Sequence, residues 1–515
     1  MATSRNMINP SFYVLFMLLH YWLQLAASSL VNRLPGFQGP LPFHFETGYI
    51  GVGESEDVQL FYYFVKSERN ATEDPLVFWL TGGPGCSGFS GLVFEIGPLN
   101  FKVVEYNGSL PTLVYNPYSW TKVSSIIFMD LPVGTGYSYG RTARAFHSSD
   151  YLSVSHADEF LRRWLKDHPE FISNPLYVGG DSYSGLTVPA IGKHISDANE
   201  AGSTPPINLK GALVGNPSTD STVDYNSRVP YAHRVGLISD ELYQLLKNSC
   251  GNNYFNPDPS NTECTKNVMK YYQCTFAINP VHILEPICGF ASPRPEQMLN
   301  KRRSLYRDYV HLDQILPTIG CRNYAYLLCK YWMDDKNVRK ALDIREGSIG
   351  QWLRCNYGIS YETNIQSSTE YHAYLGKKGY RILVYSGDHD MTVPYVGTQE
   401  WIRSLNYSIV DDWRPWWLNY QIAGYTRTYS NRLTFATLKV TEGIYSLPLF
   451  SFPVIISGPS GFCREQVTPL QSTRDLRLWP CTQGGYLRSL FNYVFSASTQ
   501  TLESEYRFRD IIGNS

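Results

Sequence analysis

From Pro175 to Ile195 the chain reads PLYVGGDSYSGLTVPAIGKHI: an apolar run with strand character, a turn of small residues, then an apolar stretch with helical spacing. A turn of the GxSxG kind at Gly180-Asp181-Ser182-Tyr183-Ser184-Gly185, with its last glycine one place further on, sets a serine on a sharp corner between strand and helix. The corner exposes the hydroxyl, and the backbone N–H of the next residue, Tyr183, faces the oxygen of any carbonyl that the serine attacks. Ser182 is therefore the candidate nucleophile. A strand that feeds a helix in this way belongs in a parallel sheet with crossovers.

The remaining patterning agrees with an α/β chain. Val58 to Thr81 (VQLFYYFVKSERNATEDPLVFWLT) holds two β-rich runs split by a polar turn, expected to form a hairpin that leads into a buried strand. Ser124 to Asp130 is a short buried strand, and Ser155 to His168 has helical spacing. Between about 231 and 330, cysteines, Asn/Pro-rich loops and short helical pieces dominate, as in an insertion over the sheet. Strand patterning returns at Tyr380 to Tyr385.

Composition limits the chemistry. A chain of 515 residues, 43% hydrophobic and 17% charged, folds; disorder needs fewer apolar residues and more charge imbalance. A net charge of −1 gives no footprint for nucleic acid. Ten cysteines with no CxxC spacing argue against haem, zinc and iron–sulfur sites and for an oxidising compartment; no cofactor and no metal is called for. Arg5, the apolar run Phe12 to Leu25 and the small residues Ala26 to Ser29 form a secretory signal peptide over residues 1–29. No later stretch has eighteen uninterrupted apolar residues, so no membrane contact is expected after cleavage. Asn70, Asn107 and Asn406 lie in glycosylation sequons.

A second glycine-rich loop, Thr81-Gly82-Gly83-Pro84-Gly85-Cys86-Ser87-Gly88, follows the apolar run Leu76 to Leu80 and suits a second oxyanion donor; no GK[ST] follows, so it is not a P-loop. Asp388 or Asp390, after the strand at Ile382 to Tyr385, supplies a carboxylate to orient a base, or caps the next turn. GGPGCSG, GDSYSG and SGDHDMTVPYVGTQEW together resemble the serine carboxypeptidase-like family, and the likeness runs in register from Leu34 to Lys439. The resemblance implies an α/β-hydrolase fold with a mostly parallel sheet over residues 30–439 and a helical, disulfide-bearing insertion. It implies Ser182 as nucleophile, Asp390 as triad acid, and Gly83 and Tyr183 as backbone oxyanion donors. It also implies the disulfides Cys86–Cys355, Cys250–Cys264 and Cys288–Cys321, with Cys274 and Cys329 as further candidates for pairing.

The family contains peptidases and plant acyltransferases. The peptidases resemble WNGGPGCSS and GESYAG, whose Asn and Glu bind a terminal carboxylate. Here Thr81 and Asp181 stand in those places beside Gly82, and only Glu95 matches a third member of that clamp. GDSYSG and DDWRPWWLNYQIAGYTRTYSNRLTFATLK resemble the acyltransferase branch. That likeness implies transfer of a hydroxycinnamoyl-type acyl group from a glucose ester to an alcohol or amine, in the vacuole or outside the cell; a carboxypeptidase, or a secreted binding protein without catalysis, is the alternative. The oligomeric state is not readable.

The family's histidine belongs in a GxGHTxPEY segment after the FATLK stretch, yet no histidine occurs after His389. Lys439-Val440-Thr441 can be encoded as AAG-GTN-ACN, which contains a splice donor, and Phe462-Cys463-Arg464 as TTY-TGC-AGG, which contains an acceptor. Read two bases out of frame from Arg464, codons for Glu465 to Arg474 can give Gly-Ala-Gly-His-Thr-Ala-Pro-Glu-Tyr-Lys. Residues 440–515 are therefore expected to be a non-family tail from a retained intron and a shifted frame, packing poorly and leaving the chain without a general base.

Overall fold

The computed structural model describes residues 29–289, 317–418 and 421–439. The expected signal peptide up to Ser28, the middle of the expected insertion and the whole expected non-family tail lie outside the described residues.

Among the described residues, ten strands carry the architecture: β1 (Phe45–Val52), β2 (Val58–Val65), β3 (Leu76–Leu80), β4 (Ser125–Met129), β5 (Leu176–Asp181), β6 (Leu209–Gly215), β7 (Arg381–Gly387), β8 (Ile409–Leu418), β9 (Gln421–Tyr429) and β10 (Leu433–Leu438). With two short strands they form one twelve-stranded sheet in the order β1-β2-β4-β3-β5-β6-β7-β10-β9-β8. The central run from β4 to β10 is parallel throughout. β1 and β2 flank it antiparallel on one side, and β9 and β8 on the other.

A sheet covered on both faces needs strands that are apolar at every position. In β2 all eight residues are buried: Phe61, Tyr63 and Val65 enter one core, and Leu60, Tyr62 and Phe64 enter the other. Helices α1 (Asp150–Asp167) and α2 (Ser184–Glu200) cover the second face with Phe160, Leu161, Trp164, Val188 and Ile191. Pro189 lies inside α2 and has no N–H for the Gly185 carbonyl; the Ser368 hydroxyl donates to that carbonyl instead, at 2.8 Å.

The hairpin expected across Val58 to Thr81 is not formed. β2 and β3 are separated by β4, which runs antiparallel to β2 and parallel to β3, and the hairpin partner of β2 is β1. A polar segment between β-rich runs shows only that the chain leaves the sheet. Strands this apolar lack the alternation that marks a one-sided hairpin.

The insertion is anchored in two ways. Helices α3 (Arg228–Arg234), α4 (Asp240–Cys250) and α5 (Thr262–Thr275) share a small core of their own, with Tyr231, Leu246 and Val268 packed against Met391 and Val396. Helix α6 (Arg322–Asp334) instead sends Leu328 and Trp332 into the main core. The three expected disulfides are present: Cys86–Cys355, Cys250–Cys264 between α4 and α5, and Cys288–Cys321. Among the described residues Cys274, exposed, and Cys329, buried, have no disulfide partner.

Candidate active site

The candidate residues converge where the parallel strands end. Ser182 follows β5 with φ +53°, a left-handed conformation that non-glycine residues rarely adopt. Its N–H donates to the Gly215 carbonyl at 2.9 Å, and its own carbonyl accepts from the N–H groups of Gly185 (3.0 Å) and Ser218 (2.9 Å). These bonds over-determine the corner and hold the strained backbone in place. The neighbouring chain comes so close that a Cβ on Gly185 would lie 2.4 Å from Pro217 Cβ.

The glycine loop after β3 sits directly against the corner. A Cβ on Gly82 would stand 2.7 Å from Ser182 Cβ and 2.8 Å from the Tyr183 nitrogen, so only glycine lets the loop approach the backbone N–H that follows the serine. Gly83 is exposed, with φ +123°. Loop and corner are also joined through Asp181, whose carboxylate accepts the Gly82 N–H at 3.0 Å. Thr81 is buried, and its hydroxyl has no hydrogen-bond partner among the described residues.

Asp181 and Glu95 form an acidic pair beside the loop. Trp79 Nε1 donates to Glu95 at 2.9 Å. Burial pushes the Glu95 carboxyl well above its usual range, and the charge of Asp181 adds to the rise. Burial raises Asp181 too, while the Gly82 N–H and the Arg354 guanidinium pull it back down. Arg354 stands with its guanidinium carbon 3.8 Å from the centre of the Tyr326 ring.

Asp390 lies beyond β7 and is buried. Its Oδ1 accepts the N–H groups of Thr392 and Val393, and its Oδ2 accepts the Asn216 amide at 2.9 Å. Burial pushes its carboxyl up to about 6 against the pull of those donors. Asn216, at the end of β6, holds φ +37° and also accepts the Gly387 N–H at 3.0 Å. It thereby connects the ends of β6 and β7 to Asp390. Asp388 faces elsewhere, towards Lys439 at 3.8 Å. The His389 ring stacks on His282 of the insertion, with centroids 5.3 Å apart.

Ser182, Tyr183, Gly82, Thr81, Asp181 and Glu95 thus meet at the ends of β3 and β5, and Asn216 and Asp390 follow at the ends of the next two strands. Asn216, Arg354 and Trp79 were not singled out by sequence reasoning. Only Asn216 carried a signal, as the polar residue that ends an apolar strand (GALVGN) at the same sheet edge. Asn70, Asn107 and Asn406 are all exposed.

A mostly parallel sheet with a strained serine between strand and helix defines an α/β-hydrolase. Residues 35–442 match the serine carboxypeptidase family, Peptidase S10, and the chain belongs to that family. It is 54% identical to serine carboxypeptidase-like 7 of Arabidopsis thaliana over 413 residues, which cover 80% of this chain and 89% of the relative. It is 52% identical to serine carboxypeptidase-like 19 of the same plant over 440 residues, covering 84% and 94%. In fold it resembles KEX1(DELTA)P, a prohormone-processing carboxypeptidase of Saccharomyces cerevisiae, with a TM-score of 0.58 at 20% identity over 77% of this chain and 86% of that one.

Proposed function

We propose that this protein is built for acyl transfer through an acyl-serine. Ser182 Oγ adds to the carbonyl of a glucose ester, the glucose hydroxyl leaves with a proton, and an alcohol or amine then takes the acyl group from the serine. Gly83 and Tyr183 offer backbone N–H groups to the oxyanion, and Asp390 orients the base. The observation that carries the reading is the Ser182 corner, strained at φ +53° and pressed against Gly82.

Support for transfer over peptide hydrolysis comes from the place where a peptide's terminal carboxylate would bind. Thr81 offers one hydroxyl in place of an amide. Asp181 is one methylene shorter than the glutamate of the peptidases and is engaged with Gly82, which leaves a carboxylate clamp incomplete. Export to the vacuole or the cell exterior fits the three disulfides and the apolar leader.

The base is the missing part. With no histidine after residue 389 and a family match that ends at residue 442, the chain as written keeps the pocket without the proton acceptor. A retained intron after Lys439 accounts for this. Sequencing the transcript across that codon tests it: messages running straight into Gly-Ala-Gly-His support it, and genomic sequence lacking that frame refutes it. Their product, incubated in parallel with acyl glucoses and a blocked dipeptide, should consume the glucose ester and leave the peptide. Turnover of the peptide alone would make this a carboxypeptidase. For the chain with the tail, ligand-induced thermal stabilisation without an acyl-enzyme would make it a binding protein.

A further inference from the structure

One buried carboxylate near the corner has no part in the scheme above. Asp150, the first residue of α1, is fully buried and joins three separate segments. Its Oδ1 accepts two phenol hydroxyls, Tyr183 at 2.7 Å and Tyr361 at 2.8 Å. Its Oδ2 accepts the backbone N–H groups of Asn364 at 2.7 Å and Ile365 at 2.8 Å. Four donors hold the carboxyl where it lies, at the N-terminus of a long helix.

Both phenols belong to one cleft, whose lining also includes Thr81 and Gly82. Their rings meet edge to face, 6.4 Å apart. Tyr183 is the residue after the nucleophile, so a fixed ring holds the peptide whose N–H faces the oxyanion. Tyr361 lies on the segment that follows Cys355, and Cys355 is bonded to Cys86 of the glycine loop.

We propose that Asp150 is a positioning residue for acyl transfer, acting through Tyr183 on the oxyanion N–H and through Tyr361 on the cleft wall. The inference rests on Ser182 being the nucleophile. With no histidine after residue 389, the reactivity left to Ser182 depends chiefly on the oxyanion donors and binding, so slow labelling of this chain reads those donors directly.

The test is a labelling time course of the full chain with excess fluorophosphonate, followed by peptide mass spectrometry at Ser182. Rate constants at saturating probe are separated from half-saturating concentrations. Tyr183→Phe should lower the saturating rate by about 10-fold at unchanged half-saturation, on the scale of a weakened oxyanion donor. Tyr361→Phe should raise half-saturation about threefold with the rate kept. Both variants keep the ring and spare Asp150, whose replacement by alanine endangers the fold. Equal effects of the two variants on both constants, tracking a fall in melting temperature, would reduce Asp150 to a structural anchor and overturn the proposal. So would unchanged constants in Tyr183→Phe. Labelling no faster than Ser182→Ala in both this chain and its correctly spliced product would overturn the acyl-serine reading itself, and this inference with it.

Discussion

At the scale of single residues, function is visible as local conflict with folding. Ser182 occupies a backbone region that suits glycine, and the bonds from Gly185, Gly215 and Ser218 hold it there. Ser182→Gly should therefore raise stability by about 1 kcal/mol in urea unfolding while abolishing labelling at this position. A variant less stable than the parent would show that the corner is not strained. Asn216 serves Asp390 and Gly387 at once, and both are buried. Asn216→Ala should cost about 1–3 kcal/mol in the same measurement; a loss near zero would mean that Asp390 finds another donor.

At the scale of elements, what the sequence reveals depends on how local the signal is. The Ser182 turn is written in six consecutive residues, so its strand, corner and helix were readable at once. The position of β4 between β2 and β3 was not, because apolar strands such as SIIFM and LVFWL carry no mark of their neighbours. The same holds for Asp150 and Arg354, whose partners come from distant segments. The disulfides came from family likeness, since spacing alone does not assign pairs. Cys86–Cys355 joins the glycine loop to a segment 269 positions away. Replacing both cysteines by alanine should lower stability by roughly 2–5 kcal/mol by denaturant unfolding, with loss of Ser182 labelling preceding global unfolding. Simultaneous loss of both would show that the loop is held by packing alone.

At the scale of the whole molecule, buried ionisable groups set a pH preference. Burial pushes Asp130 and Asp224 up to about 7, above their unfolded range near 4. Their contribution is full below the unfolded value and fades as pH rises through about 7, so their part of the stability should decline from about pH 4 to about pH 7. The opposite limb belongs to His282 and His372, which burial lowers to about 4 and about 3, and to Glu46, held down at about 2 by His168, His44 and Tyr62 against its own burial. Their stabilisation is full above the unfolded values, near 6.5 for the histidines and 4.5 for Glu46, and is lost as pH falls from there through the lowered ones. The melting temperature should therefore peak on the acid side of neutrality. Asp224→Asn should flatten the decline towards neutral pH, because the Oδ1 that it replaces by an amide has no partner among the described residues; an unchanged profile would assign the slope to other groups.

The helices α3 to α5 close their small core on Met391 and Val396, within a few positions of Asp390. Chimaeras that exchange this cap between homologues, hoping to trade selectivity alone, will disturb the acid's seat as well. New specificities in such a scaffold must be bred together with the GDHD loop, and lineages that drift in one should show compensating drift in the other.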